Sequence, residues 1–134
     1  MTELLNKASP NPLARARGLG SAKDGVHHWW MQRVTAVLLV PLLIWFTISF
    51  LGEVASSNRL DVVNWFESPV HSFLLIALLT AALFHAQLGM RVIFEDYIHK
   101  NPYKMICLTL NQIIFPLAIL ISWVAILKLH IVGA

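Results

Sequence analysis

The sequence predicts an all-α membrane protein with three transmembrane helices, and three observations carry that prediction. First, 57% of its 134 residues are hydrophobic and only 13% are charged, with a mean hydropathy of +0.68, a balance that soluble domains do not have. Second, Asp, Glu, Lys and Arg are missing from residues 34–52, 68–90 and 105–127, runs of 19, 23 and 23 residues. A helix rises ~1.5 Å per residue, so about 20 apolar residues cross a bilayer core and each run suffices. Third, the positive charge is lopsided. Lys7, Arg15, Arg17, Lys23 and Arg33 precede the first run, and Arg91, Lys100 and Lys104 lie between the second and third. Only Arg59 and Lys128 stand on the other side. The positive-inside rule then puts the N-terminus and second connection inside, and the first connection and C-terminus outside. This topology accounts for a pI near 9.4 without invoking nucleic acid.

Residues 1–33 read as a polar arm and interfacial segment. Pro10, Pro12, Gly18 and Gly20 break any regular structure, which predicts an extended arm lying across a partner's surface. The first apolar run starts only at Val34, too late for a cleavable secretory signal, and Glu3 and Asp24 argue against a transit peptide despite Arg15, Arg17 and Ser21. Trp29 and Trp30 belong at headgroup level. Residues 34–127 form the three-helix domain, with helices expected at about 30–52, 69–96 and 103–129. Pro41 and Pro116 predict kinks within the first and third helices. Ser56, Ser57 and Asn58 are turn formers in the first connection, where Trp65 and Phe66 read as a second interfacial anchor. Pro69 suits the first turn of the second helix, and Asn101-Pro102 marks the turn before the third. Residues 128–134 are a short outer tail. The lone Cys107 has no partner for an intrachain disulfide and is expected to pack as a small apolar residue.

His85 is an ionisable ring within an otherwise uncharged spanning run. Such a residue is costly in hydrocarbon and is a functional candidate by default. Ala81, Ala82 and Gly89 share its helical face and leave clearance for a flat group or another helix. Three roles fit: an interhelical hydrogen bond, axial ligation of haem by a neutral imidazole, or a proton relay. A haem held by two histidines would need a second chain. His71 is about 21 Å away along the same helix, His130 is at the outer end of the third helix, and His27 and His28 sit at the inner surface. His85 lies about 15 Å below that surface, which leaves room for a porphyrin between it and Arg33. Arg33 suits haem propionates, or simply snorkels to the headgroups. Asp96-Tyr97 closes the second helix on the inner side. Its phenol could donate to a quinone carbonyl and its carboxylate could serve a proton path, or both could be ordinary helix-end and aromatic-belt residues.

Two patches extend these readings. Gly25-Val26-His27 with Arg33-Val34-Thr35-Ala36, and His85-Ala86 with Leu88-Gly89-Met90 and Asp96-Tyr97, resemble the small membrane-anchor (cytochrome b small) subunits of succinate dehydrogenase, respiratory complex II. The resemblance implies an anchor that packs with a second, larger cytochrome b anchor subunit and carries an iron–sulfur subunit and a flavoprotein subunit at the membrane. It implies His85 as one axial ligand to the iron of a shared haem b, with Arg33 and His27 near the propionates. His28 leaves open which of the adjacent rings takes that place. Tyr97, with Asp96 beside it, matches the ubiquinone site. Flavin and iron–sulfur catalysis would then reside on partner chains, in keeping with the lack of a dinucleotide fingerprint or cysteine cluster here. The expected function is the membrane anchor of succinate:ubiquinone oxidoreductase, linking the tricarboxylic acid cycle to the respiratory chain. The alternatives are an anchor for fumarate reductase or another quinone-linked oxidoreductase, and a haem-free assembly or transporter subunit. The expected location is a bacterial inner membrane rather than a mitochondrial one.

Overall fold

The computed structural model describes residues 22–54 and 58–132, and every regular element among them is helical. The extended arm expected before residue 22, the turn formers Ser56 and Ser57, and the last two residues lie outside the described residues. The elements are α1 (Ala22–Ser49), which ends in a π-helical stretch at Phe50–Val54, then α2 (Arg59–Glu67), α3 (Pro69–Tyr97) and α4 (Asn101–Val132). Three helices are long and apolar enough to cross a membrane, over Val26–Glu53, Pro69–Tyr97 and Asn101–Val132. Pro41 and Pro116 lie inside helices that run through them.

The chain divides into two units, Met1–Met31 and Gln32–Ala134. In the first, Ala22–Met31 is helical, and the exposed rings of Trp29 and Trp30 lie 6.3 Å apart.

In the second unit, α2 is an element that the sequence reading took for a loop. Asn58 caps it, and the Asp61 carboxylate accepts from the Asn58 backbone N–H at 3.2 Å. Ser68 ends α2 by donating its N–H to the Asn64 carbonyl, and it is also the N-cap of α3, with Pro69 in the first turn. The reversal between α2 and α3 therefore takes one residue.

Its consequence is the core. Trp65, expected at the membrane interface, is only 4% exposed. Its indole N–H donates to Ser49 Oγ at 2.8 Å, and its ring stacks on Trp45 (6.0 Å) and His71 (4.7 Å). A tryptophan can be buried when its one donor finds a partner, and Ser49 supplies it. Leu75, Leu78 and Ile126 complete this cluster.

Helices α3 and α4 form an antiparallel pair joined by three polar rungs. Nearest Tyr97, Asn111 Nδ2 donates to the Gln87 carbonyl (3.1 Å), and Gln87 Nε2 donates to the Asn111 carbonyl (3.5 Å). In the middle, Trp123 Nε1 donates to Thr80 Oγ1 at 2.9 Å. At the α2 end, Ser72 Oγ donates to the Phe66 carbonyl at 2.6 Å, and His130 Nδ1 lies 3.3 Å from the same oxygen. The hydroxyls of Thr47, Thr80 and Ser122 each donate back to the carbonyl four residues earlier, which satisfies their protons within their own helix. Large apolar side chains such as Val37, Ile48, Phe73, Ile113 and Val124 face outward.

Trp65 offers a direct stability test. Trp65→Phe should cost about 1 kcal/mol for the bond to Ser49, and Trp65→Ala about 3–5 kcal/mol. Thermal melts of the protein purified in mild detergent with its co-purifying chains would check both values. Equal, small losses would place the core elsewhere.

Candidate functional site

His85 lies in α3, partly buried, and both of its ring nitrogens are engaged by α1. Gln32 and Thr35 stand three residues apart, so they share a helical face and reach the same ring. Thr35 Oγ1 lies 2.8 Å from His85 Nδ1, and Gln32 Nε2 lies 3.2 Å from His85 Nε2.

The proton positions follow from the donor inventory. Thr35 has one hydroxyl proton, and it donates that proton to the Gln32 backbone carbonyl at 3.1 Å. With that proton on the carbonyl, the hydroxyl would accept the ring proton at Nδ1 and the Gln32 amide would donate to Nε2, an assignment that leaves the ring's lone pair on Nε2. The other end of that amide is unsatisfied, because Gln32 Oε1 is buried without a hydrogen-bond partner. Thr35 is 6% exposed.

Of the three small residues expected to give clearance beside His85, Gly89 does so for Gln32. A Cβ on Gly89 would stand 3.6 Å from Gln32 Nε2. Ala81 instead lines an apolar groove of about 360 Å³ with Thr35, Leu38, Phe73, Ile76, Ala77, Thr80 and Phe84. A second cavity of about 370 Å³ lies beside α2, with Glu53, Asp61, Asn64, Trp65, Ser68 and His71 in its wall.

α1 begins at Ala22, so Arg33 stands about three turns into a helix rather than at its mouth. Its neighbours Gln32 and Thr35 already touch the imidazole. At 100° per residue, Arg33 leaves α1 about 130° around from the middle of that face, and it is exposed. His27 is exposed in the first unit. His71 and His130 are at the opposite end of the bundle, each within bonding distance of a backbone carbonyl, Trp65 and Phe66 respectively.

Asp96 and Tyr97 are exposed at the end of α3, Tyr97 at 79%. Their backbone is held firmly. Arg91 pairs with Glu95 at 2.8 Å, and Lys104 Nζ reaches back from α4 to the Glu95 carbonyl at 2.8 Å. A cation on the last turn of a helix satisfies carbonyls that the helix leaves open. The link from α3 to α4 is thereby short and tied.

Sequence reasoning missed Gln32 and Thr35. The available signal was two polar side chains three residues apart at the mouth of an apolar run, opposite a lone intramembrane histidine. Among the described residues, no group of three or more His, Cys, Asp and Glu is placed to hold a metal ion.

Comparison with known proteins gives consistent matches. A family model described as succinate dehydrogenase/fumarate reductase transmembrane subunit matches residues 7–121. The chain is similar to the succinate dehydrogenase hydrophobic membrane anchor subunit of Rickettsia bellii (strain RML369-C), 34% identical over 93 residues, or 69% of this chain and 73% of that protein. The protein of the same name from Rickettsia typhi (strain ATCC VR-144 / Wilmington) is 30% identical over 115 residues, covering 85% of this chain and 90% of its own length. The one from Paracoccus denitrificans is 28% identical over 93 residues, covering 69% and 71%. No solved structure matches.

The His85 contacts predict a contrast between two substitutions. His85→Ala leaves the Thr35 hydroxyl and the Gln32 amide short of partners and should cost about 1–3 kcal/mol. Arg91→Ala removes an exposed i,i+4 pair and should cost about 0.3–0.5 kcal/mol. Denaturation in detergent would measure both, and a smaller loss for His85→Ala would contradict the hydrogen-bond pattern.

Proposed function

The chain belongs to the succinate dehydrogenase/fumarate reductase transmembrane subunit family, and from that premise we propose that it anchors a succinate:ubiquinone oxidoreductase in a bacterial inner membrane. It contributes one axial ligand to haem b and part of the ubiquinone-reduction site. The relatives in Rickettsia and Paracoccus are named for succinate dehydrogenase, which favours the succinate direction over the fumarate one. In this reading the N-terminus and the Asp96-Tyr97 end face inward, as the distribution of Lys and Arg requires. A larger cytochrome b anchor subunit packs against the chain, and the iron–sulfur and flavoprotein subunits dock on its inner side.

The observation that carries the haem reading is the pair of α1 side chains, Thr35 and Gln32, that flank the two ring nitrogens of His85. A metal-ligating imidazole needs one bare nitrogen and a partner for the other. Thr35 Oγ1 stands 2.8 Å from Nδ1, where it would accept the ring proton, and the Gln32 amide stands 3.2 Å from Nε2, which would then carry the lone pair. The buried, unpartnered Oε1 of Gln32 fits a carboxamide that is not locked in place. These residues therefore suit a haem with His85 as the ligand from this chain and the other axial ligand from the larger anchor subunit. Arg33 and His27 match the residues near the propionates by their place in the sequence. When bound, haem supplies a one-electron store near the route to the quinone.

At the quinone, two electrons from the iron–sulfur subunit and two protons convert the ring to the quinol. The Tyr97 phenol donates a hydrogen bond to one carbonyl oxygen, orienting the ring and favouring negative charge there. Asp96 beside it hands on protons from the inner aqueous side. The exposure of Tyr97 supports a pocket whose remaining walls come from partner chains.

A second reading draws on the same contacts. With both ring nitrogens bonded to α1, His85 could serve only as a helix-to-helix pin in a haem-free subunit. A dithionite-reduced minus oxidised spectrum of the affinity-purified complex separates the two. The haem reading expects a b-type band, and His85→Ala should abolish it while the subunits still co-purify. No band from intact wild-type complex leaves the pin alone. For the quinone site, Tyr97→Phe should lower quinone reduction roughly tenfold, the equivalent of one hydrogen bond of about 1.4 kcal/mol. Succinate oxidation by an artificial acceptor should be unchanged, and equal loss of both activities would count against the assignment.

A further inference from the structure

We propose that Thr35 and Gln32 are positioning residues for His85. Thr35 fixes the ring proton on Nδ1, and the Gln32 carboxamide caps the Nε2 lone pair until a metal centre takes its place. This inference rests on the haem reading above and assigns two residues to it.

The argument begins with a chain of three groups. Thr35 Oγ1 lies 2.8 Å from His85 Nδ1 and donates to the Gln32 backbone carbonyl, so in the proposed arrangement the ring N–H donates to the hydroxyl. The last acceptor belongs to the helix backbone and cannot rotate away. A hydroxyl that donates is a better acceptor, so the two bonds strengthen one another. The effect on His85 is twofold: the tautomer is set, and electron density is pushed toward Nε2. Partners of this kind orient metal-bound histidines and raise their basicity. Thr35 is 6% exposed, so water does not compete for the contact.

Gln32 acts on the other nitrogen. In hydrocarbon an exposed lone pair has no water to turn to, and the amide provides the missing donor at 3.2 Å. The same side chain leaves its Oε1 buried and unpartnered, so its position is held from one end only. Gly89 leaves the amide its space, with any Cβ there 3.6 Å away. In the proposal the Gln32 side chain turns aside to free Nε2 while the Thr35 contact stays, so the imidazole would keep one tautomer with and without its metal. The opposite arrangement, with Oε1 toward the ring and the proton on Nε2, would move the Thr35 proton from the carbonyl to Nδ1 and place the ring's lone pair there, against the hydroxyl.

The two residues therefore act with opposite sign on haem binding. The test uses the intact purified complex with Thr35→Val, Thr35→Ser, Gln32→Leu and His85→Ala. It reads haem transfer to apomyoglobin, the midpoint potential by redox titration, and the low-spin electron paramagnetic resonance spectrum. Thr35→Val, which keeps the side-chain shape, should release haem about 10-fold faster, raise the midpoint potential and shift the low-spin signal. Thr35→Ser should restore all three. Gln32→Leu should hold haem at least as tightly as the wild type. Thr35→Ala stands in if the valine variant does not assemble. Wild-type values for both the valine and alanine variants, no rescue by serine, or haem loss in Gln32→Leu equal to that in His85→Ala would overturn the proposal. A wild-type complex that holds no haem overturns this inference and the haem reading together. Haem that is present, lost in His85→Ala and indifferent to Thr35 overturns the inference alone.

Discussion

In hydrocarbon a polar atom has no water to fall back on, and a buried group without a partner costs a few kcal/mol. The structure of the described residues from Gln32 onward follows from that constraint more than from apolar packing. Among them, only Trp65, Leu75, Leu78 and Ile126 form a buried apolar cluster, and lipid is as apolar as any helix face, so burial alone would not join the helices. What joins them is the set of side chains that must find partners. Trp65 finds Ser49, Trp123 finds Thr80, Asn111 and Gln87 find each other's backbone, and Ser72 shares the Phe66 carbonyl with His130. Each contact is modest, but a register shift of α4 along α3 would break all three rungs at once.

The same constraint explains how a histidine can sit in the second span. Its two nitrogens need one donor and one acceptor, and α1 offers one of each from successive turns. The partners that make His85 tolerable are the same two side chains to which its tautomer is assigned by proposal. Its position on α3 is secured from the far side as well. Gln87, two residues on, is bonded to α4, and the end of α3 is tied through Lys104. The imidazole therefore belongs to an element fixed by both neighbours.

The three spans were legible in the sequence because charge-free length is a local signal. The resemblance to complex II anchors was legible for a similar reason, since its two patches are short and ordered. Three features were not legible. α2 was hidden because Ser56, Ser57 and Asn58 announce a turn, while its capping pair, Asn58 and Asp61, is a weaker signal. Trp65 looked like an interfacial residue because sequence does not show whether an indole has a private acceptor, and Ser49 is 16 residues away. Helix 1 was expected at about 30–52 and runs from Ala22 to Ser49, and sequence alone does not show that Gln32 and Thr35 face the His85 ring. Charge marks where a span meets water, whereas the helix obeys backbone bonding and continues past it.

The two ends of the bundle are satisfied to different degrees. At the α2 end the polar groups of Trp65, Ser72 and Ser49 converge on one another around a stacked aromatic cluster. Toward Tyr97, two carboxamides each leave an oxygen buried and unpartnered, Gln32 Oε1 and Asn111 Oδ1. Both belong to the levels of α3 occupied by His85 and Gln87. A sequence under selection for stability alone would place leucine or alanine at such positions, because a half-satisfied polar network is worse than an apolar contact. Local violations of that rule concentrate where a protein does its chemistry. The α2 end holds the stacked aromatic cluster with its polar groups paired, and the levels of His85 and Gln87 hold the unpartnered carboxamide oxygens.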